Sequence, residues 1–430
     1  MQITITAILI VLGIIAAVIL DNKRKVNMGL TALLFAYIIY VFVLGNPSRN
    51  FFTLWPVNVF LTLLSLAMFY GFASENGTLK WLADQMTYRV RNVPWLICPA
   101  FFLFSLLLGA IGIVPGAAGA IVIGIFLPIA LEINLHPMLI VMTSGCGVLG
   151  GTLLGTGSAS STVRSFMVDA GYSDVDAMMG NVSMNNLLAC VVVFVLAYLL
   201  FRGFKVRGSV DFKKPAPATR EQKITLGIIA LVMLLFILPT ALFRVTGIEA
   251  FQTFGRKINL IPVMFAGAFL CACFRVADTA TVIKKRVGWG TFFMVGGMCA
   301  LVSTASIVGI DQVIGAWVSE NVPTLLIGPA LLLIAAVLSL FSDSIGVVFP
   351  LLFTFIPALA LAGDISPSYL YTCVALGALN AGSCPLSTGG ASVLAVAPEE
   401  HRQMIWRWEW LMVVFTVGIM TVMALFPIFR

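Results

Sequence analysis

The stretch Gly147-Val-Leu-Gly-Gly-Thr-Leu-Leu-Gly-Thr-Gly-Ser-Ala-Ser160 interrupts an otherwise apolar segment, residues 138–168, and its reading decides the fold. The segment begins as a helix fit for a bilayer and then breaks into glycines and hydroxyls. A second stretch, Ala381-Gly-Ser-Cys-Pro-Leu-Ser-Thr-Gly-Gly-Ala-Ser392, breaks residues 369–397 in the same way. Two more apolar stretches are interrupted near their middles. Residues 94–131 carry Gly112-Ile-Val-Pro-Gly-Ala-Ala-Gly119, and residues 325–361 carry Phe341-Ser-Asp-Ser-Ile-Gly346; each reads as a re-entrant helical hairpin. Non-helical backbone at membrane depth leaves N–H and C=O groups unpaired, at roughly several kcal/mol each, so it survives only where protein or a water-filled cavity satisfies it. Four such breaks imply a binding site.

Composition sets the same frame. Of 430 residues only 10% are charged and 60% are hydrophobic, against about 25% charged in a typical soluble domain, and apolar runs of about 20 residues recur. This predicts an all-α polytopic membrane protein with the lipid bilayer as its main partner. The net charge of +7 falls in short clusters between apolar runs, which argues against nucleic acid. Eight cysteines without a CxxC pair, and two histidines, offer neither a disulfide framework nor a zinc site.

Uninterrupted spans are expected near residues 3–20, 26–44, 55–73, 185–201, 224–243, 258–274, 289–310 and 410–426. The first run is followed by Lys23, Arg24 and Lys25, the reverse of a signal peptide's charge order, so it reads as a retained span. Leu325 lies 231 residues after Pro94 and Thr388 lies 232 after Thr156. Hairpin and broken helix thus recur in the same order, an internal repeat. The expected partition is a first repeat over 1–201, a cytoplasmic linker over 202–223 and a second repeat over 224–430. Threading the chain with each hairpin returning to its own side puts 19 of the 25 basic residues on one face. The positive-inside rule makes that face cytoplasmic. Both termini then lie outside, and the two repeats have inverted orientation.

A helix that stops at mid-bilayer presents free N–H groups and a positive dipole end, suited to a carboxylate, while the half that ends there offers carbonyls suited to a small cation. The substrate candidates are Thr152, Thr156, Gly157, Ser158 and Ser160 in the first break, and Ser387, Thr388, Gly389 and Ser392 in the second. Arg164 is a candidate dicarboxylate clamp, or a side chain reaching the outer interface near Asp169. Asp343, with Ser342 and Ser344 beside it and Gly155 and Ser383 in the breaks, is the candidate coupling-cation site; its bland alternative is a hairpin cap or structural ion pair. Apart from Arg164, Asp343 is the only ionisable residue expected deep in an apolar segment, and intramembrane charge points to function by default. Gly147, Gly151 and Gly155, spaced by four, equally fit a helix-packing face.

Other matches lead nowhere. Gly145-Cys-Gly-Val-Leu-Gly150 fits GxGxxG without a βαβ unit around it. Asn76-Gly-Thr78 is a formal glycosylation sequon on the face assigned to the cytoplasm, and His136 and His401 are expected in solvated loops there. Neither a Ser-His-Asp set nor a carboxylate pair lies inside the membrane, so an enzyme is not expected.

The motifs Asn27-Met-Gly-Leu30, Leu54-Trp-Pro56, Phe69-Tyr-Gly-Phe-Ala73 and Asn76-Gly-Thr-Leu79, with the hairpin and broken-helix plan, resemble the divalent anion/sodium symporters of the ion transporter superfamily. They are most similar to the MatC-type dicarboxylate carrier branch, named for malonate uptake. Members of the wider symporter family carry Ser-Asn-Thr motifs at the two hairpin tips and Gly-Thr-Pro-Pro-Asn-like loops in the two broken helices. Here Ser342-Asp343-Ser344 is similar to the second tip, and Thr152 to Thr156 and Ser387-Thr388 are similar to the loops. The first tip has Ala118-Gly-Ala120 instead, and Gly157-Ser158 and Gly389-Gly390 replace the prolines. The resemblance implies elevator transport by an inverted pair, usually in a homodimer. The expected activity is secondary transport of malonate or a four-carbon dicarboxylate across the bacterial inner membrane. It would be coupled to Na+ or H+, with no cofactor beyond a possible bound Na+. A cation/proton antiporter without organic substrate is the alternative.

Overall fold

The computed structural model describes residues 2–113, 115–155, 157–206, 214–246, 248–258, 260–340, 343–385, 387, 390, 393–394, 397, 399–426 and 429. Every regular element among them is helical. The chain forms two compact units, one of Met1–Phe60, Pro94–Gly208 and Trp289–Arg430, the other of Leu61–Val93 and Ser209–Gly288. Each draws on both halves of the sequence.

The first unit opens with α1 (Gln2–Arg24) and α2 (Met28–Tyr37). Ile8, Val11, Leu12, Ile15 and Ile19 of α1 are exposed, an aliphatic surface that water would not tolerate and lipid would. α2 packs on α14 (Trp289–Ile307) with backbones almost touching. A Cβ on Gly29 would sit 1.9 Å from the Phe293 carbonyl oxygen, and one on Gly297 would sit 2.0 Å from that of Gly29. Without a hydrophobic drive between helices in lipid, such close approach is what holds them.

The first hairpin is α5 (Pro94–Ala110) and α6 (Pro115–Glu132); the first broken helix is α7 (Pro137–Thr152) and α8 (Ser158–Asp169), followed by α9 (Val175–Leu200). In the second half α15 (Ile310–Asn321) precedes a hairpin made of α16 (Thr324–Ser339), a π turn (Ser344–Val348), α17 (Phe349–Phe353) and α18 (Ile356–Gly363). α19 (Pro367–Ala381) then runs into the second break, and α20 (Glu399–Ala424) closes the chain. α5 packs on α7 and α16 on α19. Pro99 lies inside α5 and Pro329 inside α16, 230 residues apart. Pro99 lacks the N–H that would reach Trp95 four residues back; the Trp95 carbonyl instead accepts from the Tyr198 hydroxyl at 2.8 Å.

The second unit holds most of α3 (Val57–Glu75), α4 (Thr78–Val90), α10 (Arg220–Thr246), α11 (Glu249–Lys257), α12 (Leu260–Cys273) and the short α13 (Thr279–Thr281). The Asn-Gly-Thr sequence is a turn here. Gly77 has φ +75, and Asn76 Oδ1 accepts from Thr78 N at 3.1 Å and Thr78 Oγ1 at 2.6 Å while its amide donates to Thr225 Oγ1 at 2.7 Å.

By length and composition three of the described helices, α1, α9 and α20, can each cross a bilayer alone, or five spans if each of two bent pairs counts as one. Three sequence expectations are corrected. α9 starts at Val175, ten residues before the expected span, and α20 starts at Glu399, eleven before it. Residues 249–257, left between two spans, form α11. Hydropathy marks where a helix meets lipid, not where it begins, and the early turns of α9 and α20 are polar.

Candidate functional site

α7 ends at Thr152, with Leu153 already out of helical geometry at φ −97, and Gly155 then takes φ +49, a left-handed conformation that only glycine adopts freely. Gly157 closes the turn so tightly that a Cβ would sit 2.1 Å from the Thr152 carbonyl oxygen. α8 then starts without a side-chain cap, with Ser158, Ala159 and Ser160 all buried. Its first-turn N–H groups and positive dipole end face the break. Thr152 Oγ1 and Ser158 Oγ meet across the break at 3.3 Å, and Ser160 Oγ donates to the Gly155 carbonyl at 3.3 Å.

The carbonyl end of α7 is already served by protein. Ser183 Oγ donates to Leu153 O at 2.5 Å, and Asn186 Nδ2 donates to Leu149 O at 3.0 Å and Gly150 O at 3.2 Å. Both donors sit on the polar early turns of α9 and were missed in the sequence, because the carbonyls they satisfy lie 30 to 37 residues away. The buried Asn186 Oδ1 makes no hydrogen bond among the described residues. Of the three glycines spaced by four, Gly147 and Gly151 pack against α5, where a Cβ would meet the carbonyls of Phe102 at 2.7 Å and Leu106 at 1.9 Å. Gly155 alone belongs to the break and is exposed.

In the second half the hairpin tip and the helix break touch directly. Ser344 Oγ meets Ser339 Oγ at 2.7 Å and donates to the Ala378 carbonyl at 2.8 Å, and a Cβ on Gly382 would lie 2.2 Å from Ser344 Oγ. Cys384 Sγ donates to Leu340 O at 3.3 Å. Asp343 caps the π turn, its Oδ1 accepting from Gly346 N at 2.6 Å, which is the capping role foreseen beside the cation role. Ser387 Oγ donates to Cys384 O at 2.8 Å and to Gly382 O, and accepts from Gly390 N at 3.3 Å. Asn380, fully buried, donates to Leu376 O at 2.9 Å and leaves Oδ1 without a hydrogen bond among the described residues. Ser383 is half-buried beside it. Thr156, Ser342, Thr388, Gly389 and Ser392 lie outside the described residues.

The two halves also cross. Gly119 of the first hairpin lies against Val393 beyond the second break, 3.2 Å from where its Cβ would be. Phe166 of α8 packs edge-on against Phe353 of the second hairpin at 5.6 Å. Each hairpin therefore contacts the far half of the other repeat's broken helix.

Arg164 points elsewhere. Its guanidinium binds Asp176 at 2.6 Å, with side chains 46% and 88% exposed. The histidine expectations are corrected as well. His401 lies in the first turn of α20 with Glu400 at 3.4 Å. His136 caps α7 by accepting from Met138 N at 3.2 Å, stacked on Phe201 and edge-on to Trp408. Burial pulls its pKa below the ordinary histidine value. One group was missed outright: Glu409, 2% exposed, sits on the buried face of α20.

Residues 1–152 match the family described as the dicarboxylate carrier protein MatC N-terminus. No curated protein matches the chain by sequence. Among solved structures the chain is similar to the YdaH transporter of Alcanivorax borkumensis, a crystal structure of unusual topology. That similarity has a TM-score of 0.60 at 18% identity and covers 99% of this chain and 97% of that one. The resemblance carried by Asn27-Met-Gly-Leu30 and Leu54-Trp-Pro56 is thus borne out over the MatC-type N-terminal region, and the chain is a multi-pass membrane protein with the fold of a solved transporter.

Proposed function

We propose that the chain is a secondary active transporter that moves a small dicarboxylate, malonate or a four-carbon acid such as succinate, across the bacterial inner membrane, coupled to sodium or protons. The observation that carries the reading is the buried, uncapped start of α8, ringed by Thr152, Ser158 and Ser160. A helix N-terminus closed to water by its surroundings favours an anion. In this reading Thr152, Thr156, Gly157, Ser158 and Ser160 hold one carboxylate, and Ser387, Thr388, Gly389 and Ser392 the other. Asp343, with Ser342, Ser344, Gly155 and Ser383, holds the coupling cation. Arg164 is left out because Asp176 engages it on an exposed face. Elevator movement and a homodimer follow from the family resemblance.

The test is uptake of labelled malonate and succinate into proteoliposomes under imposed sodium and pH gradients. It is paired with thermal shifts of the purified chain against mono-, di- and tricarboxylates, since a ligand that binds the folded state raises its apparent stability. Gradient-stimulated dicarboxylate uptake is expected. A chain that neither accumulates nor is stabilised by any dicarboxylate sinks the proposal.

A further inference from the structure

Glu409 is a carboxyl to which the packing around α20 gives no charge partner among the described residues. The buried stripe of α20 is Ile405, Glu409, Met412, Val413, Thr416, Met420 and Ala424, so Glu409 stands where a core residue should. Its Oε2 makes no hydrogen bond among the described residues.

The helices packed on α20 are α7, α9, α16 and α19. α7, α16 and α19 contain no Asp, Glu, Lys or Arg. α9 has one such residue, Asp176, exposed in its first turn and paired with Arg164. The other titratable groups these helices bring are thiols and phenols, among them Cys146, Cys190, Tyr198 and Tyr369, with His136 at the start of α7 facing Trp408. On α20 itself Arg402, two turns away, donates to the carbonyls of Leu394 at 3.2 Å and Ala397 at 3.5 Å, and Arg407 is exposed. A structural carboxylate in such a place would be ion-paired or hydrogen-bonded, and an apolar side chain of equal volume would stabilise the fold more. Burial without a partner costs the neutral acid far less than the carboxylate.

We propose that Glu409 is a proton-binding site, carrying its proton in the conformation seen here and releasing it when α20 repacks. One turn further along, Val413 clusters with Ala381 and Cys384, at the entry to the second break, and with Ala336 of the hairpin helix beside it. A charge appearing on Glu409 is therefore felt at the break, which makes this proton a coupling ion. The coupling role rests on the transport reading; the proton site does not.

Two measurements on the reconstituted full chain test it. Infrared difference spectra between neutral and alkaline pH are expected to show loss of a buried carboxylic-acid carbonyl band in the wild type, absent from Glu409→Gln. In proteoliposomes an inward proton gradient is expected to drive labelled succinate accumulation in the wild type. Glu409→Gln should keep exchange of labelled for unlabelled succinate but accumulate none above the outside concentration. The same band in the variant, a wild-type band indifferent to pH, or unchanged gradient-driven accumulation overturns the proposal. If the wild type moves no dicarboxylate at all, the transport reading falls while the infrared result still decides the proton site. The wild-type titration also decides it should the variant fail to reconstitute.

Discussion

Ser344 Oγ donates to the carbonyl of Ala378 at 2.8 Å, which ties the tip of the second hairpin to the last turn of α19 before its break. Gly382 lies so close that a Cβ there would be 2.2 Å from the same hydroxyl. Gly382→Ala should therefore displace Ser344 and lower stability by about 1–3 kcal/mol, while Ser344→Ala costs about 1 kcal/mol for the lost hydrogen bond. In the double variant the new methyl finds room, so the two losses should fall short of their sum. Thermal unfolding of the four proteins in detergent measures this, and strict additivity would mean that tip and break do not touch.

The α5 and α7 helices meet backbone to backbone at Gly151, where an added Cβ would lie 1.9 Å from the Leu106 carbonyl oxygen. A carbonyl cannot rotate away as a side chain can, so Gly151→Ala should force the helices apart and lower the unfolding midpoint. Gly180, on α9, has nothing within 4 Å of its Cβ position. Gly180→Ala should be neutral or stabilising by up to about 1 kcal/mol. Equal effects at the two sites would refute backbone contact as the basis of the α5–α7 pair.

Much of this architecture was legible in the sequence because lipid imposes strong rules. Apolar runs, glycine breaks and a spacing of 231 residues between 94 and 325 predicted two hairpins and two broken helices; the helices of both hairpins, both halves of the first broken helix and the helix that leads into the second break are among the described residues. What escaped were polar residues on buried helix faces. Glu409 precedes Trp410, where the apolar run begins, and hydropathy set it outside the span. Its place in the stripe with Ile405, Met412 and Val413 was readable only as a period of 3.6. Ser183 and Asn186 were invisible for a different reason. The carbonyls they satisfy lie at the end of α7 and just beyond it, 30 and 36 residues away, and no local pattern announces such a pairing. The glycines at 147, 151 and 155 divided between packing and break because φ, which separates them, is not written in spacing.

His136 serves its cap as a neutral ring, Nδ1 accepting from Met138 N. Burial depresses its folded pKa below the ordinary 6.5, so the unfolded chain takes up the proton first as pH falls. The stability it contributes is complete above about pH 6.5 and is lost as pH falls through the folded value. Compared with His136→Gln, the wild type should lose more of its unfolding midpoint across that acid window and behave alike above it. Parallel pH profiles for the two proteins would show that the ring titrates as if unburied.

Arg164 is bound to Asp176 on a surface where both side chains are largely solvated, so the pair adds little stability, at most about 1 kcal/mol. Arg164→Gln should leave both the unfolding midpoint and the KM for dicarboxylate uptake near their wild-type values. A KM raised tenfold or more, with folding intact, would return Arg164 to the substrate site as a clamp.

Asp343 has two possible tasks, and one substitution separates them. Its Oδ1 caps the π turn by accepting from Gly346 N at 2.6 Å, and an asparagine in the same rotamer keeps that acceptor while removing the negative charge. Asp343→Asn should therefore fold with a nearly unchanged midpoint. It should lose cation-driven accumulation of dicarboxylate, because an amide attracts a cation far more weakly than a carboxylate. Asp343→Ala removes the cap as well and should cost about 1 kcal/mol in addition. Uptake by Asp343→Asn as concentrative as that of the wild type, with Asp343→Ala merely less stable, would reduce Asp343 to a cap. The cation site would then have to be sought in the hydroxyls and carbonyls around Ser344 and Gly382.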